Sequence, residues 1–176
     1  RFKAVADWDD FRGPDLPRQY GPAQKQAFER RGFADDILVQ QEHLLWCDAL
    51  VLQFPLWWFS VPAILKGWMD RVLAAGFAYD KGGRWFEHGP LSPRRGMLAV
   101  TTQAPASSFG PRGLNGEIEK ILAPIHHTLR FGGFRPVRPW TAFGVMAATD
   151  AERQAHLESY AAALGALPTA VPTTVP

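Results

Sequence analysis

Apolar positions along the chain fall into two kinds of run. Ala49 to Phe54 reads A-L-V-L-Q-F and closes at Pro55, which predicts a short strand buried on both faces. Ile64, Leu65, Trp68, Met69 and Val72 then recur at helical spacing, and Pro62 stands where a first helical turn would leave its missing N–H unpaired anyway. A helix is therefore predicted from Pro62 to Leu73. Upstream, Ile37, Leu38, Gln41, Leu44 and Leu45 mark one face of a helix from Asp35 to Trp46, whose first-turn acids suit the helix dipole. A shorter helix, Ala23 to Arg31, should stop at Gly32, and the Gly-, Pro- and Asp-rich residues 1–22 read as a surface loop anchored by Phe2, Val5, Trp8 and Phe11.

Downstream, Met97 to Thr102 is a second buried strand. Ile118, Ile121, Leu122, Ile125 and Leu129 mark a helix from about Gly116 to Phe131, kinked at Pro124 and stopped by Gly132-Gly133. Arg135 to Trp140 reads R-P-V-R-P-W, a strand whose prolines confine it to a sheet edge. Thr149 and Glu152 form a capping box that opens a last helix, Asp150 to Leu164, burying Leu157, Tyr160 and Leu164. Residues 75–93 lack periodicity and form a long excursion, a feature that is usually functional. The proline-rich residues 166–176 are expected to be a disordered tail. Strands alternating with helices indicate an α/β fold with a doubly wound parallel sheet in one domain, residues 1–165.

Composition narrows the function classes. The 176 residues are 47% hydrophobic, enough for a real core, and the formal charge is only +2 with scattered Lys and Arg. No basic patch points to nucleic acid, and no apolar run reaches the roughly 20 residues that span a bilayer, so neither nucleic acid nor membrane insertion is expected. Cys47 is the single cysteine, which fits a reducing cytoplasm and excludes a disulfide within these residues. His126 and His127 are adjacent and so face apart, whereas a helical metal pair needs i, i+4 spacing. No metal site is expected.

The chemistry therefore rests on Pro55 to Ser60, P-L-W-W-F-S, which falls just beyond the carboxyl end of the first predicted strand. Ligands bind there in open parallel sheets. Flat apolar side chains beside unpaired backbone N–H groups suit a planar heterocycle such as a flavin. Three consecutive aromatics suit a core cluster or a dimer contact equally well.

The run Gln53 to Trp68, Q-F-P-L-W-W-F-S-V-P-A-I-L-K-G-W, resembles the flavin-binding segment of the NAD(P)H quinone oxidoreductase (DT-diaphorase) family. The resemblance continues through Gly76 to Tyr79, Thr101-Thr102, Gly113 to Gly116 and Ile121 to Phe134, and so covers about Asp35 to Leu164. It implies a flavodoxin-like, three-layer α/β/α fold, FAD with FMN as the variant, NAD(P)H as cosubstrate, ping-pong two-electron reduction of a quinone or other small aromatic acceptor, and a homodimer. In the flavodoxin-like strand order the Ala49 strand is the third. The first strands and the phosphate-binding loop would lie upstream of Arg1, so an N-terminally incomplete chain is expected. Without that loop, flavin binding should be poor.

By resemblance, Trp57, Trp58, Phe59 and Ser60 line the flavin ring, with Pro55 and Leu56 shaping the turn. Thr101, Thr102, Gln103 and Ala104 match a second flavin-contacting loop, where the family commonly has two glycines in place of Gln103 and Ala104. A tyrosine and a histidine that compensate charge beside the flavin in the family are replaced by Phe109 and Asn115, neither of which can titrate. Tyr79 matches a substrate-gating tyrosine. With Asp80 it would face the substrate, and Lys81, where the family has another tyrosine, would favour anionic acceptors. Two other functions share this resemblance: an ancillary subunit of a glutathione-gated potassium efflux system, and an FMN-dependent azoreductase or flavin reductase.

Overall fold

The computed structural model describes residues 2–173, which divide into two compact units. The first comprises Arg1–Cys47, Ala63–Arg94 and Arg130–Phe134; the second comprises Asp48–Pro62, Arg95–Leu129 and Arg135–Pro176.

Three helices organise the first unit: α1 (Tyr20–Arg30), α2 (Asp35–Trp46) and α3 (Ala63–Val72). The helix α1 begins three residues earlier than its apolar pattern suggested, and Pro22 sits in its first turn, where no intrahelical bond is lost. It ends on Arg31 at a φ of 52°, with Gly32 next. The bounds of α2 are those expected, and Ile37, Gln41 and Leu44 are buried along its inner face, while Leu45 is exposed. Buried Gln41 donates to the Val72 carbonyl, fixing α2 against the end of α3. Arg94 donates to the Cys47 and Leu45 carbonyls and so closes the C-terminal end of α2. Residues 75–93 are folded onto their own unit: the rings of Tyr79, Trp85 and Phe86 stand 5.3, 6.4 and 5.5 Å from Phe131.

A buried ion cluster holds the amino-terminal segment, which is more than a loop. Arg71 of α3 is 2% exposed and Asp10 is fully buried. The guanidinium donates to Asp10 at 2.9 Å, to Asp36 of α2 at 2.7 and 3.1 Å and to the Lys3 carbonyl at 2.9 Å, and it lies 4.6 Å from the Phe2 ring. Tyr20 donates to the other oxygen of Asp10. The Arg71 hydrogen bonds hold the Asp36 carboxyl below its ordinary range. Burial, with the Asp10 contact, pushes the Tyr20 phenol up. The same segment crosses α3 at Gly67, where a Cβ would lie 1.8 Å from the Ala4 carbonyl oxygen. Any side chain there would displace backbone. Of the expected anchors, Phe11 is buried, while Val5 and Trp8 are exposed.

The second unit carries an open parallel sheet. Strand β1 (Ala49–Pro55) pairs in parallel with β2 (Arg95–Thr101), from Ala49 opposite Arg95 to Pro55 opposite Thr101. The burial of β1 alternates, with Leu52 and Phe54 inside and Gln53 and Pro55 outside, so it is not buried on both faces as expected. Gln53 instead accepts a hydrogen bond from Tyr160 at 2.9 Å. The strand buried along its length is β2, which has neighbours on both edges, and Gly96 through Val100 are inaccessible.

The edge strand expected over Arg135 to Trp140 is split into β3 (Arg135–Pro136) and β4 (Trp140–Ala142), both parallel to β2. Met97 and Leu98 face three residues, Val137, Arg138 and Pro139, so one extra residue bulges out. Pro139 could not have donated to the ladder there. Helix α4 (Ile118–Phe131) continues through Pro124 and buries Ile118, Leu122, Ile125 and Leu129 of its expected face, while Ile121 is only partly covered.

Helix α5 (Asp150–Ala166) starts at the expected capping box, with both Thr149–Glu152 bonds formed. Its burial differs from expectation: Leu157 is 62% exposed, Leu164 39%, and Tyr160 is only partly covered. Small residues on another face, such as Ala163, make its contact with the sheet cluster of Met97, Val137 and Leu167. Residues 167–173, expected to be disordered, include a 3₁₀ turn at Leu167–Thr169. This segment also bridges Val137 through Pro172 and receives the Arg95 guanidinium on the Ala170 carbonyl. The last three residues of that expected tail lie outside the described residues.

His126 gives the second unit an acid-sensitive point. It is 6% exposed, and its Nε2 has no hydrogen-bond partner among the described residues. Burial therefore holds its pKa below the ordinary 6.5. Below that pH the unfolded chain takes up the proton and the folded chain does not, so stability present at neutral pH is lost as pH falls. The thermal midpoint is expected to drop between about pH 7.5 and 5.5, and to drop less in His126→Leu. Equal slopes in calorimetric scans of the two proteins would place the acid sensitivity elsewhere.

Candidate active site

The carboxyl end of β1 runs into a two-residue turn. Trp57 N–H donates to the Ser60 carbonyl at 3.0 Å and Ser60 N–H returns to the Trp57 carbonyl at 2.9 Å. The residues between them, Trp58 and Phe59, have φ of 51° and 59°. Positive φ at both central positions is the geometry that Asn-Gly normally fills, and a bulky aromatic held there costs on the order of 1–3 kcal/mol. The turn gains little by burial in return, since Trp57 is 60%, Trp58 96% and Phe59 55% exposed. The three aromatics thus stand out from the sheet as a surface and do not form a core cluster.

The backbone around them is prepared for polar contacts. Leu56 N–H donates to the Thr101 carbonyl at 2.8 Å, which ties the turn to the end of β2. The N–H groups of Trp58 and Phe59, and those of Gln103 and Ala104 in the neighbouring loop, have no partner among the described residues. Thr102 is buried, its N–H bonded to the Ala142 carbonyl and its hydroxyl to the Ala104 carbonyl at 2.8 Å. Gly144 N–H also donates to Ala104 at 3.0 Å. The second loop is therefore fixed through its carbonyls, and two donors remain free.

Phe109 and Asn115 lie on one closed loop of the same unit, with Asn115 N–H bonded to the Ser108 carbonyl and Gly110 N–H to the Gly116 carbonyl. The Phe109 ring packs 5.2 Å from Phe143. Tyr79, Asp80 and Lys81 belong to the first unit. There they line a cleft of about 400 Å³ together with Lys25, which stands 3.6 Å from Asp80. A second cleft, about 550 Å³, begins at Gln103 and Pro105 and continues past Phe143 to Glu152 and His156 of α5, residues that no sequence motif joins. The local signal at Glu152 is the cap of α5, where its bonds to Thr149 hold its carboxyl below the ordinary range. Among the described residues, no group of His, Cys, Asp and Glu could hold a metal ion, and no helix is long and apolar enough to cross a membrane.

The family model described by the flavodoxin-like fold matches residues 2–164. The chain belongs to this flavodoxin-like family. The chain is similar to ribosyldihydronicotinamide dehydrogenase [quinone] of Rattus norvegicus, to which it is 39% identical over 143 residues, or 81% of this chain and 62% of that protein. The chain thus spans about three fifths of that relative's length. A solved structure from Klebsiella pneumoniae, assigned as a quinone reductase, superposes with a TM-score of 0.90 at 38% identity, covering 97% of this chain and 70% of that one. General stress protein 14 of Treponema denticola, solved in complex with FMN, has a TM-score of 0.61 at 32% identity over 75% of this chain and 73% of its own. For a flavodoxin-like chain, the aromatic turn and the loop from Thr101 to Ala104 stand at the carboxyl ends of adjacent parallel strands, where this architecture binds its ligands.

Proposed function

We propose that this chain is the catalytic part of an NAD(P)H:quinone oxidoreductase that binds FAD and works by a ping-pong sequence, with NAD(P)H and a quinone taking turns in one site. The observation that carries the reading is the turn at Trp58-Phe59: strained backbone, exposed aromatic faces and free N–H groups at the end of β1. Backbone strain that burial does not offset is typical of functional sites. The relatives' names favour quinone chemistry, and the FMN complex of the Treponema denticola protein favours a flavin.

Bound there, a flavin would supply hydride acceptance from the nicotinamide and hydride donation to the quinone. The chain's own part is positional. Trp57, Trp58 and Phe59 offer apolar faces to the ring, Pro55 and Leu56 set the turn against β2, and Ser60 closes it. Thr101 and Thr102 anchor the second loop, and the N–H groups of Gln103 and Ala104 are the donors left to meet the ring's polar edge. The departure from glycine at those two positions leaves the N–H groups in place but adds side chains that limit how closely a ring approaches the backbone. The cleft continuing from Gln103 to His156 favours FAD over FMN, because a dinucleotide needs room beyond its ring.

Phe109 and Asn115 supply no titrating group, so charge on the ring is compensated by backbone N–H groups, and hydride transfer should be nearly flat with pH where a histidine-assisted site would titrate near about 6.5. By resemblance Tyr79 and Asp80 are assigned to the substrate, and a second copy of this chain is the expected partner.

The test is a visible spectrum of the purified protein with its flavin extracted and weighed, followed by steady-state reduction of menadione by NADH and NADPH. With FAD added to saturation, a yellow protein with turnover on the order of 1 per second or more is expected. Protein that stays colourless with added FAD overturns the reading.

A further inference from the structure

A groove of about 330 Å³ opens on the second unit, on the face of the sheet that α5 covers. Its floor is the buried cluster of Met97, Val137 and Leu167. The residues set over that floor by α5 and the turn after it are small, Ala163, Ala166 and Ala170, and so leave room between helix and sheet. Residues 170–173 form the outer wall, since Pro172 bridges to Val137 and Thr173 N–H donates to the Pro136 carbonyl at 2.8 Å. The bulge between β3 and β4 puts Arg138 in the lining.

The rim is cationic. Arg95 and Arg135 stand directly opposite each other in the parallel β2–β3 register, so both side chains leave the same face of the sheet. Like charges so placed repel. Arg95 gives its Nε–H to the Ala170 carbonyl at 2.9 Å, and its Nη groups have no partner among the described residues. Arg135 and Arg138 are exposed and make no ion pair among the described residues. No acidic residue occurs in β1 to β4, in the bulge or in residues 160–173, so nothing in these segments balances the three guanidiniums.

We propose that this groove holds a medium-chain fatty acid, its alkyl tail on the Met97–Val137 floor and its carboxylate among Arg95, Arg135 and Arg138. The volume is at the small end for ligand pockets and suits a single chain of about ten carbons. A flat ring has no free aromatic face to stack on, because the Trp140 ring in the lining is already taken by Tyr160 at 4.6 Å. Guanidinium groups match a carboxylate through paired N–H donors, and an anion between Arg95 and Arg135 removes their repulsion. The arginines of the register are the first residues of β2 and β3, whereas the aromatic turn follows the carboxyl end of β1. The site therefore does not depend on the flavin reading.

The probe is decanoate, titrated calorimetrically into the protein with and without saturating FAD. Decyltrimethylammonium, with the same tail and the opposite charge, and acetate, with the head and no tail, are the controls. Binding of decanoate alone, weakened by added salt and unaffected by FAD, is expected. Octanoate should bind about fifteenfold more weakly, since each buried methylene tightens binding about fourfold. Arg135→Gln combined with Arg138→Gln should weaken decanoate about tenfold or more. Both side chains are exposed, so this variant folds, and circular dichroism checks it. Ala166→Leu fills the groove from an exposed position of α5 and should weaken binding with every arginine in place. Amide shifts of Ala170 and Val171 on addition of decanoate place the ligand. No binding, equal binding of either control, competition with FAD, or an unchanged affinity in either variant each overturns the proposal. Failure of the flavin reading alone leaves the decanoate titration unaffected.

Discussion

Replacing Trp58-Phe59 with Asn-Gly is expected to make the protein more stable and its flavin binding weaker. Both native residues sit at positive φ, where a bulky side chain crowds the backbone and Asn or Gly does not. The strain is on the order of 1–3 kcal/mol per residue. Little burial is lost in exchange, because Trp58 is 96% and Phe59 55% exposed. A net gain of about 1–2 kcal/mol follows, or roughly 3–6 °C in thermal midpoint for a chain of this length. The backbone N–H groups survive the exchange, so only aromatic stacking is removed. Stacking of a base on an aromatic side chain is worth about 1–3 kcal/mol, which places the loss of flavin affinity at about 10- to 100-fold. Calorimetry and a flavin titration on the same preparation read the two effects. A variant less stable than the parent would mean that the aromatics support the fold, and the functional reading of the turn would lose its basis.

The second large effect is expected at Arg71. Its guanidinium spreads its donors over Asp10, Asp36 and the Lys3 carbonyl, and Asp10 has no access to water. Arg71→Met leaves Asp10 buried with no cation beside it, which costs about 3–5 kcal/mol. Urea denaturation should show this as a lowered midpoint, and limited proteolysis should cut the amino-terminal segment, which Arg71 holds through Lys3. Arg71→Lys should rescue little, since an ammonium lacks the planar fork. Arg71→Met combined with Asp10→Asn should recover part of the loss, because the stranded charge is gone. A loss below about 1 kcal/mol in Arg71→Met would mean that the cluster is in balance with its desolvation cost.

These two effects mark what local pattern conveys and what it does not. The bounds of α2, the run of β1 and the Thr149–Glu152 cap were readable, because each depends on neighbours within a few residues. Arg71 was not. In a helical pattern it reads as a polar interruption, and its carboxylate partners lie 61 and 35 residues away. The exposed leucines of α5 failed for a related reason: apolar spacing marks a face that could be buried, but the sheet accepted the small face around Ala163. The residues of the turn were identified by type and by resemblance. Their positive φ was not, since Trp-Phe is the opposite of the sequence that announces such a turn. The second cleft joins Gln103 to His156 across more than fifty residues, beyond the reach of any motif.

A planar redox ring lying on the aromatic turn after β1 would quench the emission of the tryptophans there. The quenching of tryptophan emission by added FAD is therefore compared between the parent protein and the Asn-Gly variant of the turn. Saturable quenching in the parent, shifted to about 10- to 100-fold higher FAD in the variant, is expected. Quenching that saturates at the same concentration in both proteins would contradict it.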